Sequence, residues 1–225
     1  MSDSSGVPRL RVSAALGFAF IALTSAVSAG AFTSLDLQVA QAMHDAWIPS
    51  LHVPFQLIAE LGSVEVTGVL MIGLTVYLWR SGFGSDALVF VVLIAAELFE
   101  VFYKFTLHHV RPPHSLAQAD GPSLTMLFTG PGPANSFPSG HMMRTVIVYG
   151  LLAFVIRRLS PSPRVRTLTG AGAIAVILLM AFDRLYLDVH WESDVLGGLL
   201  LGAIALLAGT VWLDRPRKVK NSLKK

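Results

Sequence analysis

Apolar residues fall along this chain in six long blocks, at roughly 10–31, 57–80, 86–106, 139–158, 166–183 and 189–213, separated by polar or proline-rich stretches. Each block approaches the ~20 residues that an α-helix needs to cross the hydrocarbon of a bilayer. The pattern predicts an all-α integral membrane protein, a six-transmembrane-helix bundle that forms one membrane domain over residues 1–225. Between the first two blocks, Leu35, Val39, Ala42, Met43, Ala46 and Trp47 recur at helical spacing opposite Asp36, Gln38, Gln41 and Asp45. That spacing predicts a short amphipathic interfacial helix, opened by a capping box at Thr33-Ser34-Leu35-Asp36 and ended by Pro49. A helix lying on the outer membrane surface and a lid packed over a site both fit it. Residues 107–138, rich in Pro, Gly and Ser, form the one long loop, and long loops in compact proteins usually carry function.

Residues 9–31 also have features of a secretory signal, with Arg9 and Arg11 before the apolar run and small residues at 26–31. The run is long for a signal, and a first helix is the expectation.

Composition agrees with the periodicity: 53% of residues are hydrophobic and 14% charged, against roughly 25% charged in soluble domains. The absence of cysteine removes disulfides, thiolate metal sites and a cysteine nucleophile. The net charge of +3 is no nucleic-acid signal, because the basic residues sit at helix ends and not on one face. If the helices alternate, Arg9, Arg11, Arg80, Arg157, Arg158, Arg164, Arg166 and the basic tail 215–225 fall on one side, which the positive-inside bias makes cytoplasmic. The expected location is the cell (inner) membrane, multi-pass, with both termini cytoplasmic and the tail at the anionic inner leaflet. Lys104, Arg111, Arg144 and Arg184 remain for the outer half of the bilayer. Cations in such places are costly and tend to be functional.

Three of those four belong to short blocks within 104–194. Lys104 and Arg111, seven apart, can turn toward one anion, and Pro112-Pro113 stiffen the chain after Arg111; snorkelling to the interface is the plain alternative. In Pro138-Ser139-Gly140-His141 a helix starts after the proline, so the backbone N–H groups around Ser139 and Gly140 make an anion cradle. An ordinary N-cap beside an interfacial histidine fits the same residues. Arg184 precedes His190 and Asp194, which are four apart at the start of the sixth helix; Asp194 can fix one ring nitrogen of His190 and leave the other as nucleophile. Asp188 and Glu192 fit acidic complements to that helix dipole.

With these residues in place, the chain closely resembles the type 2 phosphatidic acid phosphatase family, which shares its site with vanadium haloperoxidases. The family pattern K-x6-R-P, P-S-G-H and S-R-x5-H-x3-D is matched at all but one position, the exception being Asp183 in place of serine. The resemblance implies that His190 attacks phosphorus, that Asp194 orients it, and that His141 protonates the leaving oxygen and then activates water. Lys104, Arg111, Ser139, Gly140 and Arg184 would hold the phosphoryl oxygens. An acid at 183 either weakens anion binding or pairs with Arg184. Glu97 and Glu100 share a face of the third helix with Lys104, and one of them is expected to pair with Arg144 behind the site. His108, His109 and His114 read as loop residues bordering the entrance, since no carboxylate or cysteine falls at metal-ligand spacing.

The expected activity is that of a membrane lipid phosphatase acting on a lipid phosphate or diphosphate, of the polyprenyl diphosphate, phosphatidic acid or phosphatidylglycerol phosphate type. The expected partners are that substrate and the bilayer, with no nucleic acid. Three cations already supply charge neutralisation, so neither metal nor cofactor is expected. A lipid-to-lipid phosphotransferase and a non-catalytic lipid-binding or transport protein are the competing readings. The second has no use for an oriented nucleophile.

Overall fold

The structure, a computed structural model, describes residues 6–113 and 135–215. The turns at Gly121-Pro122 and Gly130–Pro133, His114 and nearly all of the basic tail lie outside the described residues. Among the described residues eight α-helices follow in order: α1 (Gly6–Ser28), α2 (Thr33–Asp45), α3 (His52–Ala59), α4 (Val64–Arg80), α5 (Phe90–Thr106), α6 (Gly140–Leu159), α7 (Pro163–Tyr186) and α8 (Glu192–Asp214). The described residues contain no strand, only an antiparallel bridge between Val110 and Asn135 that closes the two ends of the long loop.

Four segments are long and apolar enough to cross a membrane: Arg11–Ser28, Pro49–Arg80, Pro163–Tyr186 and Glu192–Asp214. The other two predicted blocks exist as α5 and α6. Glu97, Glu100 and Lys104 interrupt α5, while α6 carries Arg144, Arg157 and Arg158. Almost none of the α7 span is buried by protein, although Leu168, Ile174 and Leu178 are large and apolar. Such a surface calls for lipid.

α6 is the centre of the bundle. Its Met143, Ile147, Val148 and Leu151 are fully buried, and α8, α7, α4 and α5 pack around it. Against α8 the approach is close because Gly198 and Gly202 present no side chain. A β-carbon at Gly198 would lie 2.4 Å from the Ser139 carbonyl, and one at Gly202 2.9 Å from that of Met143. Glycines four apart that admit a neighbouring backbone are the usual small-residue contact of membrane helices. α1 is built into the same core through Phe20, Leu23 and Val27, with Phe20 packed edge-on to Tyr103.

The ends of the bundle sort by charge. Arg9 pairs with Asp214, and buried Asp86 lies 3.7 Å from Arg158 and 3.4 Å from Arg215, so the start of α1 and the ends of α6 and α8 meet at one end. The three chemical blocks stand at the other, on the C-terminal ends of α5 and α7 and the N-terminal ends of α6 and α8.

Three local expectations are corrected. The block at 57–80 is not one helix: a 3-10 turn at Glu60–Gly62 and a β-region Ser63 divide α3 from α4, and the Ser63 hydroxyl accepts the Val66 N–H. The break releases the Gly62 carbonyl to accept from Arg144 at 2.9 Å. The capping box at Thr33–Asp36 does not form, because the N-cap is Phe32 and Asp36 is buried elsewhere. α2 is accordingly turned about its axis: Leu35 is exposed, whereas Asp36, Val39, Ala40 and Met43 line a shallow cleft shared with Leu185, His190 and Trp191. It packs on α7 and α8 at the end that carries the three chemical blocks.

Candidate active site

The turn from α7 to α8 determines the site. Leu187 caps α7, and Asp188 takes a positive φ of 53°, a conformation that short polar residues tolerate better than most. Asp188 therefore ends α7 and does not complement the dipole of α8. His190 sits in the tight loop before α8 and not on the helix, so its contact with Asp194 has a different origin from helical spacing. Asp194 is the third residue of α8 and reaches back over the helix start, accepting from the Trp191 N–H at 2.9 Å. The same Oδ2 lies 3.3 Å from His190 Nδ1. Because a carboxylate only accepts, Nδ1 carries the proton and Nε2 keeps its lone pair.

Asp194 is fully buried, and its Oδ1 lies 2.9 Å from Nδ1 of His109. His109 is thus not a residue bordering the entrance; it shares the Asp194 carboxylate with His190. Asp36 of α2 completes the group by accepting the Ser193 N–H and hydroxyl, each at 2.9 Å. It serves as an N-cap for α8 supplied from another helix, since Trp191 at the cap position has no oxygen to offer. The sequence signals were a histidine two residues before Arg111 and an acid in the amphipathic helix, neither distinctive alone.

Ser139 is the N-cap of α6 and is completely buried; its hydroxyl accepts from Met142 and its N–H donates to the Asp194 carbonyl at 2.9 Å. The expectation that this N–H faces an anion is therefore corrected. The first-turn donors left for a ligand are the N–H groups of Gly140 and His141. His141 lies within electrostatic reach of Arg184, Arg144, His190 and Lys104. Arg144 Nη2 is 3.4 Å from its Nδ1. As arginine only donates, Nδ1 accepts and the ring proton belongs on Nε2.

Three of the four cations have an acidic companion. Lys104 pairs with Glu100, whose carboxylate fills the space that a β-carbon at Gly140 would need. Arg144 pairs with Glu97 at 3.3 Å, as expected of Glu97 or Glu100. Arg184 is fully buried, with Nε and Nη2 on Asp183 Oδ2 at 2.8 and 2.5 Å. Of the two readings of the departure at 183, pairing with Arg184 is the one observed. Arg111 follows the Val110 bridge and its charge reaches His190. Burial pushes the His190 imidazole below its ordinary value; Asp194 opposes this, and Arg111 and Lys104 reinforce it. All three sequence blocks therefore meet at one place.

The PAP2 superfamily pattern matches residues 87–218, and the chain belongs to that superfamily. Among curated relatives, YbjG of Escherichia coli (strain K12), provisionally named an undecaprenyl-diphosphatase, is 30% identical over 151 residues, covering 67% of this chain and 70% of the relative. Phosphatidylglycerophosphatase B of Bacillus subtilis (strain 168) is 26% identical over 189 residues, 82% of this chain and 86% of the relative. The crystal structure of a transmembrane PAP2 type phosphatidylglycerolphosphate phosphatase from Bacillus subtilis superposes with a TM-score of 0.79 over 92% of this chain and 98% of that one; at 23% identity this shows a shared fold.

Proposed function

We propose that this chain is a lipid phosphatase that removes a phosphoryl group from a lipid phosphate or diphosphate through a phosphohistidine on His190. The observation that carries the reading is the meeting of an oriented His190, with Nδ1 held 3.3 Å from Asp194, and a second histidine, His141, within the field of the same cations. The bound phosphate's negative charge lets His141 take up a second proton; His190 Nε2 then attacks phosphorus while the bond to the lipid oxygen breaks, and the His141 imidazolium gives its Nε2 proton to that oxygen as it leaves. Neutral His141 then takes a proton from water, whose oxygen attacks phosphorus, releasing phosphate and restoring His190. Lys104, Arg111, Arg184 and the first turn of α6 hold the non-bridging oxygens, and the substrate competes with Glu100 for the Lys104 ammonium.

A lipid substrate is favoured because the reacting groups sit at helix ends of an apolar bundle, where a phosphate can be presented while its chains stay in hydrocarbon. The relatives named for undecaprenyl diphosphate and phosphatidylglycerophosphate give the classes to try first. The test compares phosphate release from a phosphatidyl phosphate, a polyprenyl diphosphate and a water-soluble ester in one detergent, with vanadate, with chelator and with an acceptor lipid. Lipid turnover should exceed that of the soluble ester, fall with vanadate and survive chelation. Better turnover of the soluble ester would overturn the lipid assignment, and transfer to the acceptor in place of release would make the chain a phosphotransferase.

The low-lying His190 imidazole sets the pH dependence. Its neutral form is the nucleophile, and its protonation midpoint is below the ordinary 6.5. The acid limb of kcat/KM should therefore lie below pH 6.5, and a limb above it would contradict the assignment.

We further propose that α1, α3–α4, α5, α6, α7 and α8 all span an inner membrane as one domain, with both termini cytoplasmic and the site outside. A Ser50→Cys variant should react with an impermeant thiol reagent added to intact cells, and Ser81→Cys should not. Labelling only of Ser81→Cys would invert the topology.

A further inference from the structure

We infer that His109 is a positioning residue for the phosphatase reaction: it fixes the Asp194 carboxylate from the side opposite His190, with Asp36 of α2 fixing that arrangement in turn. The inference rests on the phosphatase reading given above. Asp194 has two carboxylate oxygens and three neighbours. Oδ2 is used by His190 and the Trp191 N–H, while Oδ1 lies 2.9 Å from His109 Nδ1. A carboxylate anchored at one oxygen alone can rotate about its side-chain bond and lose alignment with His190. A second donor at Oδ1 removes that freedom.

His109 is itself held by its backbone. Its N–H donates to Asn135 Oδ1 at 3.2 Å, and its carbonyl accepts from the Ser136 N–H at 2.8 Å and the Ser136 hydroxyl at 3.0 Å. Asn135 in turn donates to the Lys104 carbonyl at 2.8 Å, and Trp191 Nε1 donates to the Val110 carbonyl at 2.7 Å. The strand-like ends of the long loop thus place His109 between α5, which carries Lys104, and the turn that carries His190. Asp36 Oδ2 lies 4.0 Å from His109 Nε2, near enough to pair with an imidazolium, while its two bonds to Ser193 tie it to α8.

The groups facing His109 are Asp194 from α8, Asp36 from α2 and the Ser136 hydroxyl from the loop. Burial disfavours a charged His109, but Asp194 and Asp36 more than offset it and hold the imidazole above its ordinary value. The groups facing His190 are Asp194, Arg111, Lys104 and His141. Removing His109 removes both a hydrogen bond and a positive charge from Asp194. The undivided carboxylate then stabilises protonated His190, so the acid limb of the rate profile should move to higher pH.

The experiment uses the full-length protein in detergent with the best lipid phosphate found above, alongside the parent and His190→Ala. His109→Ala should lower kcat by about 10- to 100-fold with KM little changed, the range usual for removing the partner of a reacting group. Its acid limb should move upward. His109→Asn, whose amide nitrogen falls where Nδ1 was, should recover most of kcat while leaving the limb shifted. Asp36→Asn should show a smaller loss of the same kind. A merely structural role would instead give a lower melting temperature, no recovery by asparagine and an unmoved limb; that result, or parental kcat and limb in His109→Ala, overturns the inference.

Ring titration of labelled histidine by NMR, assigned with His190→Ala, reads the same link without turnover. An unmoved His190 midpoint in His109→Ala overturns the inference whatever the activity. A moved midpoint in a protein that hydrolyses no phosphate ester supports the link between His109 and Asp194 and rejects the phosphatase reading.

Discussion

His190→Ala and His141→Ala should each abolish phosphate release, with losses on the order of 10⁴ or more in kcat, because in the proposed route each removes a group that makes or breaks a bond. Asp194→Asn should leave a measurable residue of activity. Its amide oxygen can still accept from the Trp191 N–H, so α8 keeps its start, but the charge that orients and stabilises His190 is gone. Neither histidine variant should lose the fold: His190 sits in the loop before α8 and His141 in the first turn of α6, both at one end of the bundle. Phosphate release at saturating lipid, together with thermal melting followed by circular dichroism, checks all three. Parental turnover in His190→Ala would refute the covalent route, and a collapsed melting transition would show that the loss was one of folding.

Gly198→Ala should be nearly as damaging although the residue touches no substrate. The added β-carbon would meet the Ser139 carbonyl at 2.4 Å and Met142 Cβ at 2.9 Å, so either the seam between α6 and α8 opens or the Pro138–His141 segment shifts. Overpacking of this kind costs about 1–3 kcal/mol. A displacement near 1 Å in a reacting constellation is enough for a loss on the order of 10² in rate. Gly73 provides the control, since nothing lies within 4 Å of a β-carbon there, and Gly73→Ala should leave turnover unchanged. Melting temperature and phosphate release measured on both variants separate the outcomes. Full activity in Gly198→Ala would mean that the seam does not set the position of Ser139 and His141.

Much of the bundle was legible because membrane helices announce themselves locally. Each of the six apolar blocks is occupied by helix among the described residues, and the bounds differ by a few residues except at 57–80. The break there was hidden because Glu60-Leu61-Gly62-Ser63 is too short to interrupt a hydropathy pattern read over about 20 residues. The carbonyl that the break releases goes to Arg144, 82 residues away. The rotation of α2 was hidden for a related reason. Amphipathic periodicity assigns an apolar stripe to the interior, but the strongest contact available to this helix was polar: the unfilled N–H of Ser193 at the start of α8 drew Asp36 inward.

The sequence by itself determined which chemical groups the site contains, because Lys104, Arg111, His141, Arg184, His190 and Asp194 lie in short blocks whose internal spacing is covalently set. It also determined the pairing of Arg144 with an acid one helix away, since an unpaired charge inside an apolar bundle is costly. Only the tertiary structure decided how those groups are supported. His109 reaches Asp194 across 85 positions, Ser139 gives its N–H to the Asp194 carbonyl, Glu100 fills the hollow beside Gly140, and Asp36 caps a helix to which it does not belong. Each of these contacts depends on the axial register and rotation of one helix against another. Local periodicity fixes the face of a helix only to within a stripe, whereas a hydrogen bond requires its partner to within a few tenths of an ångström.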